Sequence, residues 1–329
     1  MRDEMDWGYA SGVVAVLETF LLEPDAIADL AREAGSAEDV LGRARRSPVY
    51  ADVAAGEAED PMGAAEVLEA ALVGYVRDFV TCCPTAAVAD VFLIEHDLRD
   101  LANRLKAEHC GADRRPVELS RLPEDEIGDW LADRPRLAEI AAELAERGEA
   151  GEPIPADRVD RMLDGAFIAM RPELTAPLGS PLVDRWARRS QEHVALVAVL
   201  RARHAGVDPA DVRETLLDGV PGGDALAELA GAEGEELARA LAERLPADAA
   251  EQFDPSAGAV SIQALEDRLD AELAWTLAPA RYRPFGPERV FAYLWRLFRE
   301  NRNLRAALGG LAGAIEPDLV RAALRGAHG

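Results

Sequence analysis

The residues of this chain best suited to binding a metal ion are its three cysteines and five histidines. Zn²⁺ takes four Cys, His or acidic ligands in a tetrahedral arrangement, and Cys82, Cys83, His109 and Cys110 would supply four. Two adjacent cysteines seldom both reach one tetrahedral ion, so this spacing favours buried thiols over a zinc site. We therefore expect neither a metal nor any other cofactor.

Catalytic motifs with a readable sequence signature are absent. The chain has no phosphate-binding GxxxxGK(S/T) loop, no GxSxG nucleophile turn and no HExxH zinc helix. The acidic stretch PEDE at residues 123–126 stands where a helix is predicted to begin, and helix capping explains carboxylates there. Helical prenyl-diphosphate enzymes bind magnesium through paired aspartates, and this chain has no such pair. We predict a non-catalytic protein.

The charge of the chain restricts its partners. It has 36 basic and 61 acidic residues, a formal net charge of -25, which repels the phosphates of nucleic acids and anionic lipids. Nucleic acid is therefore excluded, and a basic or neutral protein surface is the expected partner. Solubility alone would also account for the same charge.

The location of the protein is predicted from its cysteines and its apolar segments. Three cysteines without a disulfide-framework spacing favour a reducing compartment, and the opening MRDEMDWGYASG lacks the cationic start of a secretory signal. Every apolar run is interrupted by a charge long before the length of about 18 residues that a membrane span needs. We expect a cytoplasmic protein that does not cross the membrane.

An all-α fold is predicted from end to end. Aromatic residues are only 5% of the chain and alanine is abundant, which suits closely packed helices better than sheets. Three long helices are predicted at 84–107, 181–203 and 287–308, and each begins with proline, a residue tolerated in the first helical turn. A glycine follows each helix, at Gly111, Gly206 and Gly313.

The three long helices share one pattern. With Leu101, Leu196 and Leu304 aligned, steps of three and four residues mark one stripe along each helix. The stripes are Ala87, Val91, Ile94, Leu98, Leu101 and Leu105; Leu182, Trp186, Arg189, His193, Leu196 and Leu200; and Val290, Leu294, Leu297, Asn301, Leu304 and Leu308. This pattern predicts three pseudo-symmetric helical lobes, at 1–115, 116–212 and 213–329.

Polar residues interrupt two of these stripes, at Arg189 and His193 in the second and at Asn301 in the third. A polar side chain inside a packed seam lowers stability but can fix register or partner choice. Two interpretations stay open: an interface inside the protein or with a partner, and a stripe end that is simply exposed to solvent.

Three segments resemble the C/d subunit family of vacuolar-type and archaeal-type rotary ATPases. The segment GPERVFAYLWRLFRENRNLRAALGGLAGAIEPDLVRAAL looks like the family's C-terminal signature, a long helix reading roughly E-x-x-N-L-R that leads into a turn of small residues. IEHDLRDLANRLKAEHCG is similar to its D-x-H-N-L-K helix, with Asp97 and Arg99 in place of Asn and Lys. WGYASGVVAVLETFLL resembles its first helix, and the resemblance covers nearly the whole chain.

The resemblance implies a three-lobed, funnel-shaped, non-catalytic subunit. Such a subunit sits on the cytoplasmic face of the membrane proteolipid ring, receives the foot of the central shaft, and couples the rotation of the two. It also implies that Asn301, Arg302, Asn303 and Arg305 belong to a helix end that docks a partner or joins lobes. Asp97, Arg99 and His193 are further candidates for the same role.

The alternative is a helical repeat scaffold or adaptor unrelated to rotary ATPases, with its lobes stacked in an open solenoid. The sequence leaves open which ion, proton or sodium, such a motor would carry, and whether it makes or consumes ATP.

Overall fold

The computed structural model describes residues 4–53, 60–123, 127–245, 259–316, 319–321 and 324. Within these ranges the chain forms fourteen α-helices, joined by turns and short 3-10 helices, and no β-strand. The all-α prediction is confirmed. The predicted acidic cap at 124–126 and His328 lie outside the described residues.

The helix bounds agree closely with the sequence signals for starts and stops. Proline is the first residue of six helices, where its missing N–H has no intrahelical partner. The helices are α1 (Gly8–Leu17), α2 (Pro24–Glu33), α3 (Ala37–Ala44), α4 (Pro61–Phe79), α5 (Ala87–His109), α6 (Ile127–Ala132), α7 (Pro135–Glu149), α8 (Ala156–Thr175), α9 (Pro181–His204), α10 (Pro209–Leu216), α11 (Gly223–Gly231), α12 (Gly234–Ala242), α13 (Ala259–Leu277) and α14 (Pro287–Ala312).

The three long helices predicted from the sequence are α5, α9 and α14. Helices α9 and α14 begin at the predicted prolines, but the start predicted at Pro84 is wrong by three residues. Helix α5 begins at Ala87 because the hydroxyl of Thr85 accepts a hydrogen bond from the Ala87 N–H at 3.3 Å, which caps the helix there.

Burial follows the predicted stripes. All six stripe residues of α5 and all six of α14 are buried. On α9, Trp186, His193, Leu196 and Leu200 are buried, whereas Leu182 is half-buried and Arg189 is exposed. The interpretation that the stripe of α14 is exposed at Asn301 is therefore wrong. Of the three polar residues that interrupt the stripes, Arg189 on α9 is the one exposed to solvent.

The predicted glycine stops differ in backbone conformation. Gly111 and Gly206 have φ angles of 68° and 75°, the left-handed conformation in which glycine carries no steric penalty. Gly313 caps α14 with a right-handed φ of -84°, and the positive φ falls on the next residue, Ala314, at 46°.

The chain divides into two compact units. Unit 1 contains the described residues of Met1–Phe92, Thr175–Trp186 and Gln263–Gly329, and unit 2 contains those of Leu93–Leu174 and Ala187–Ile262. A division into compact units does not test whether three segments of the chain have equivalent structures. The three lobes predicted at 1–115, 116–212 and 213–329 therefore stay a prediction.

Unit 1 is built around α14, which packs against α1, α2, α3 and α4. An aromatic cluster extends this core. The rings of Phe92 and Phe298 stack with centroids 5.0 Å apart, and Trp186 meets Phe291 edge-on at 4.8 Å. Such pairs add to the stabilisation that burial already provides. Helix α14 therefore packs against four helices from the first third of the chain.

Unit 2 has a core of leucines and other aliphatic residues from α5, α7 and α8, with Leu101, Leu137, Leu144 and Val159 among its most buried members. Helix α8 also packs very closely on α10. A Cβ atom at Gly165 would lie 2.1 Å from the carbonyl oxygen of Thr215, so only glycine permits this approach.

We expect Gly165→Ala to lower the free energy of unfolding by about 2 kcal/mol, because the added methyl group forces two backbones apart. Gly74→Ala is the control, since a Cβ there would have no neighbour within 4 Å. It should raise stability by up to about 1 kcal/mol through helix propensity. Urea unfolding of both variants tests the difference, and equal effects would contradict the close packing at Gly165.

Candidate partner-docking residues and a buried polar joint

Asn301 is a joint inside unit 1. Its side chain is 2% exposed, and its Nδ2 donates hydrogen bonds to the Tyr50 hydroxyl at 3.2 Å and to the Leu68 carbonyl at 3.0 Å. Tyr50 ends the 3-10 helix Pro48–Tyr50, and Leu68 lies on α4. Asn301 therefore ties the predicted third lobe to residues of the predicted first lobe.

Glu300, next to Asn301, is also buried, at 4% exposure. Its Oε2 accepts a hydrogen bond of 2.6 Å from the backbone N–H of Leu22, in the connection between α1 and α2. Burial raises the pKa of Glu300 to about 7 against the lowering effects of the Leu22 N–H and Arg296, and Glu23 raises it further. The Glu300 carboxyl group therefore joins α14 to the connection between α1 and α2.

Two tyrosines complete the polar joint, which we define as Tyr50, Tyr75, Tyr293, Glu300 and Asn301. The hydroxyls of Tyr293 and Tyr75 are 3.5 Å apart. Burial raises the pKa of both Tyr50 and Tyr293 well above the ordinary value, and the nearby Glu300 adds to each effect. These phenols therefore stay neutral at physiological pH and act as fixed hydrogen-bonding groups.

The remaining candidates on α14 differ in exposure. Arg302 is exposed, Asn303 is buried, and Arg305 is half-buried, with its Nη1 2.8 Å from Glu69 Oε1 on α4. Arg305 therefore also joins α14 to α4. Of these three side chains, Arg302 is the one fully available to a partner.

We expect Asn301→Ala to lower the free energy of unfolding by about 2 kcal/mol, because the Tyr50 hydroxyl and the Leu68 carbonyl would lose a partner in a buried site. Arg302→Ala, one residue away on the exposed side of α14, should change it by less than about 0.5 kcal/mol. Chemical unfolding measures both. A neutral Asn301→Ala variant would contradict the role of Asn301 as a joint.

Asp97 and its neighbours lie in unit 2, where Asp97 is an internal anchor. Its carboxylate is fully buried and accepts hydrogen bonds from the Arg121 backbone N–H at 2.7 Å, from Nε at 2.9 Å and from Nη2 at 2.7 Å. One turn along α5, Asp100 accepts from the Val117 N–H at 3.3 Å. Together they fasten the segment that follows α5 back onto that helix.

Arg99 and His193 are the other two candidates in unit 2. Arg99 is exposed, and His193 is buried on α9. Of the seven predicted residues, Asp97, Arg99 and His193 belong to unit 2, and the four on α14 belong to unit 1. Their role in docking a partner stays a prediction.

Cys82, Cys83, His109 and Cys110 are the residues that the sequence analysis considered as zinc ligands and judged to be buried thiols and their neighbour. Within the described ranges, no three or more Cys, His, Asp or Glu side chains are placed to hold an ion together. Cys82 donates its thiol to the Phe79 carbonyl at 2.8 Å, and burial, together with Cys82, raises the pKa of Cys83 to about 12. The Cys83 thiol is therefore protonated near neutral pH, which does not suit metal binding.

Sequence reasoning missed Glu300, Tyr50 and Tyr293. Glu300 lies one residue from the α14 stripe and inside the motif ENRNLR. The sequence therefore marked this segment as unusual but did not predict that the Glu300 side chain is buried. The tyrosines carry no signal of their own, because each reaches the joint from a different element.

No helix in the described ranges combines the length and the apolar character that crossing a bilayer would require. A family model described as ATP synthase (C/AC39) subunit matches residues 10–323, which includes nearly all of the helices from α1 to α14. No curated protein gives a significant match.

Proposed function

The chain belongs to the ATP synthase (C/AC39) subunit family, and on that premise we propose that it is a non-catalytic central-stalk subunit of a rotary V/A-type ATPase. It acts as a socket that couples the rotating shaft to the membrane proteolipid ring during proton or sodium transport. The observation that carries this proposal is the family match over residues 10–323. Family membership decides against a helical scaffold unrelated to rotary ATPases.

The packing of α14 supports a part that carries torque. A coupling between two rotating partners must transmit force without local unfolding, which requires dense burial and few weak joints. The stripe of α14 is buried along its whole length, and Asn301 and Arg305 fasten it to α4 by polar contacts. These contacts resist sliding of one helix along the other, which apolar packing alone permits more easily.

The proposal places the subunit at the cytoplasmic face of the membrane, held there by its complex and without a span of its own. The exposed Arg99 and Arg302 are the proposed partner contacts, whereas Asp97, His193, Asn301, Asn303 and Arg305 act inside the subunit. Three lobes around a funnel remain part of the proposal, since the repeated stripes on α5, α9 and α14 favour them.

Co-purification from native membranes tests the function directly. The tagged full-length chain, extracted in a mild detergent, should bring down both a proteolipid ring and a coiled-coil shaft. Mass spectrometry of the eluate identifies both partners. Recovery of neither, from membranes in which the ATPase is shown to be assembled by its ATP hydrolysis, would contradict the proposal.

We expect binding of the shaft to weaken several-fold between low and high salt. The net charge of -25 favours a basic foot on the shaft, and mobile ions screen attraction between exposed charges. Isothermal titration calorimetry of the purified shaft against the full chain at two ionic strengths measures this. An affinity that does not change with salt would show that the acidic surface serves solubility alone.

A further inference from the structure

Cys82 and Cys83 are adjacent thiols at the C-terminal end of α4. Cys82 is the last residue of the 3-10 helix Val80–Cys82, which directly continues α4. Cys83 follows in an extended conformation, with φ of -96° and ψ of 148°, and begins the connection to α5. Both thiols are free and half-buried. Small molecules can therefore reach a pair of thiols that has a defined place in the fold.

The two thiols converge on one acceptor. The Sγ atoms of Cys82 and Cys83 lie 2.8 and 3.9 Å from the carbonyl oxygen of Phe79, to which both donate. The Cys83 thiol is also in hydrogen-bond contact with Cys82. Two sulfur atoms held against the same oxygen lie on the same side of the turn, which is the first requirement for a bond between them.

The two thiols differ in the order in which they can react. Burial raises the pKa of Cys83 to about 12, and the charge of Cys82 and the hydrogen bond with it add to this effect. Because the thiolate is the attacking form, Cys83 does not attack first near neutral pH. Modification of Cys82 would remove its charge, and with it one of the causes that keep Cys83 protonated.

We propose that Cys82 and Cys83 are a reversible oxidation site, which a small disulfide such as glutathione disulfide closes to a bond between the two residues. The Cys82 thiolate attacks one sulfur of the oxidant, which forms a mixed disulfide and releases one glutathione thiolate. Cys83 then gives its proton to solvent and attacks the Cys82 sulfur, which expels the second glutathione thiolate. Overall the protein loses two hydrogen atoms, and one glutathione disulfide becomes two molecules of glutathione.

A disulfide between adjacent residues is easily reopened. Consecutive Cα atoms are about 3.8 Å apart, whereas the Cα atoms of most disulfides are about 4.4 to 6.8 Å apart. A bond outside that range is strained and is more readily reduced. The pair therefore suits a modification that reduced glutathione reverses, and not a permanent link. This site is independent of the proposed role in a rotary ATPase.

We expect closure of the bond to destabilise the end of α4. Both thiols would leave the Phe79 carbonyl, and a ring of two adjacent residues gains little of the loop-closure entropy by which a disulfide across a long loop stabilises a protein. The Phe79 ring contacts those of Tyr75 on α4 and Tyr293 on α14, each with its centroid 6.0 Å away. A change at Phe79 therefore reaches the contact between α4 and α14.

Peptide mapping of the full-length chain after incubation with glutathione disulfide tests the site. Trypsin releases Cys82 and Cys83 together in peptide 78–99 and Cys110 in peptide 107–114, so the two can be followed separately. We expect peptide 78–99 to lose two hydrogen atoms, to resist alkylation, and to regain both thiols in excess reduced glutathione. Cys83→Ser should keep the glutathione on Cys82, and Cys110→Ser should close the bond as the wild type does.

Three results would overturn the proposal. A lasting glutathione adduct on Cys82 of the wild type would show that Cys83 cannot reach it. Alkylation of both cysteines in the treated native chain, with closure only in urea, would show that the fold prevents the bond. Linkage of either cysteine to Cys110 or to a second chain would assign the oxidation to a different pair.

Urea unfolding tests the effect on the fold. The urea midpoint of the wild type should fall on oxidation and recover on reduction. The double variant Cys82→Ser, Cys83→Ser is the control, because its hydroxyls can still donate to the Phe79 carbonyl but cannot form a disulfide. Its midpoint should not respond to the oxidant. A wild-type midpoint that stays constant although the bond has closed would refute the effect on α4.

Discussion

Asp97→Ala should lower the free energy of unfolding by about 3 kcal/mol, the largest loss expected from any single side chain considered. Asp97 is fully buried and accepts three hydrogen bonds from Arg121, so its removal leaves a guanidinium and a backbone N–H without their acceptor. Breaking a buried ion pair at one partner generally costs about 3 to 5 kcal/mol. The lower value is expected because the Arg121 side chain is 29% exposed and regains some water.

Asp97→Asn removes the negative charge of the side chain but keeps an oxygen that can accept a hydrogen bond at the same position. Asparagine stands at this position in the motif of rotary ATPase subunits that the segment resembles, and its carbonyl oxygen can still accept from the Arg121 N–H. We expect a smaller loss, about 1 to 2 kcal/mol, since the hydrogen bond to an ionised acceptor is lost. Arg99→Ala, on the exposed side of the same helix, is the control and should be neutral. Urea unfolding compares the three, and an Asp97→Ala variant as stable as Arg99→Ala would refute the anchor.

Helices were predictable from the sequence because their signals are local. A stripe of residues spaced by three and four positions must lie on one face, so the burial of the α5 and α14 stripes follows from helix geometry once each helix is recognised. Proline at the first position marked the starts of α9 and α14. The start of α5 was predicted at Pro84 because proline is common in the first helical turn. The Thr85 hydroxyl, which follows Pro84, caps the helix instead, so α5 begins at Ala87.

The polar contacts were not predictable because their partners are distant in the chain. Asp97 meets Arg121 only because the segment after α5 folds back, and that path has no periodic signal. Glu300 meets Leu22 across almost the whole chain. A glutamate is expected at the surface by its type alone, and only the arrangement of α1, α2 and α14 encloses it. Asn301 was recognised as unusual, but its acceptors on α4 and at Tyr50 were not.

Glu300 should make the stability of the protein fall as pH rises toward neutrality. Its pKa is raised from the ordinary 4.5 to about 7 in the folded protein, chiefly by burial. Between these two values the folded state binds the proton and the unfolded state has released it, so stability decreases with increasing pH across this window. The difference in pKa corresponds to a total of about 3 kcal/mol, which is present below pH 4.5 and lost above pH 7.

Glu300→Gln removes this dependence and keeps the acceptor for the Leu22 N–H, since the glutamine carbonyl can replace the carboxyl oxygen. The neighbouring phenols of Tyr50 and Tyr293 stay neutral throughout the window because burial raises the pKa of each. We therefore expect the variant to be more stable than the wild type above pH 7, by up to about 3 kcal/mol, and to lose that advantage below pH 5.

Urea unfolding of the two proteins at pH 4.5, 6 and 8 measures the effect as a difference, which cancels the contributions of all other titrating groups. Glu33→Gln is the matched control, because Glu33 is an exposed glutamate at the end of α2. Its difference from the wild type provides the baseline with which the Glu300→Gln difference is compared. A Glu300→Gln difference that stays constant from pH 4.5 to 8 would mean that folding leaves the pKa of Glu300 unchanged. The Leu22 N–H and Arg296 would then offset the burial of the carboxyl group.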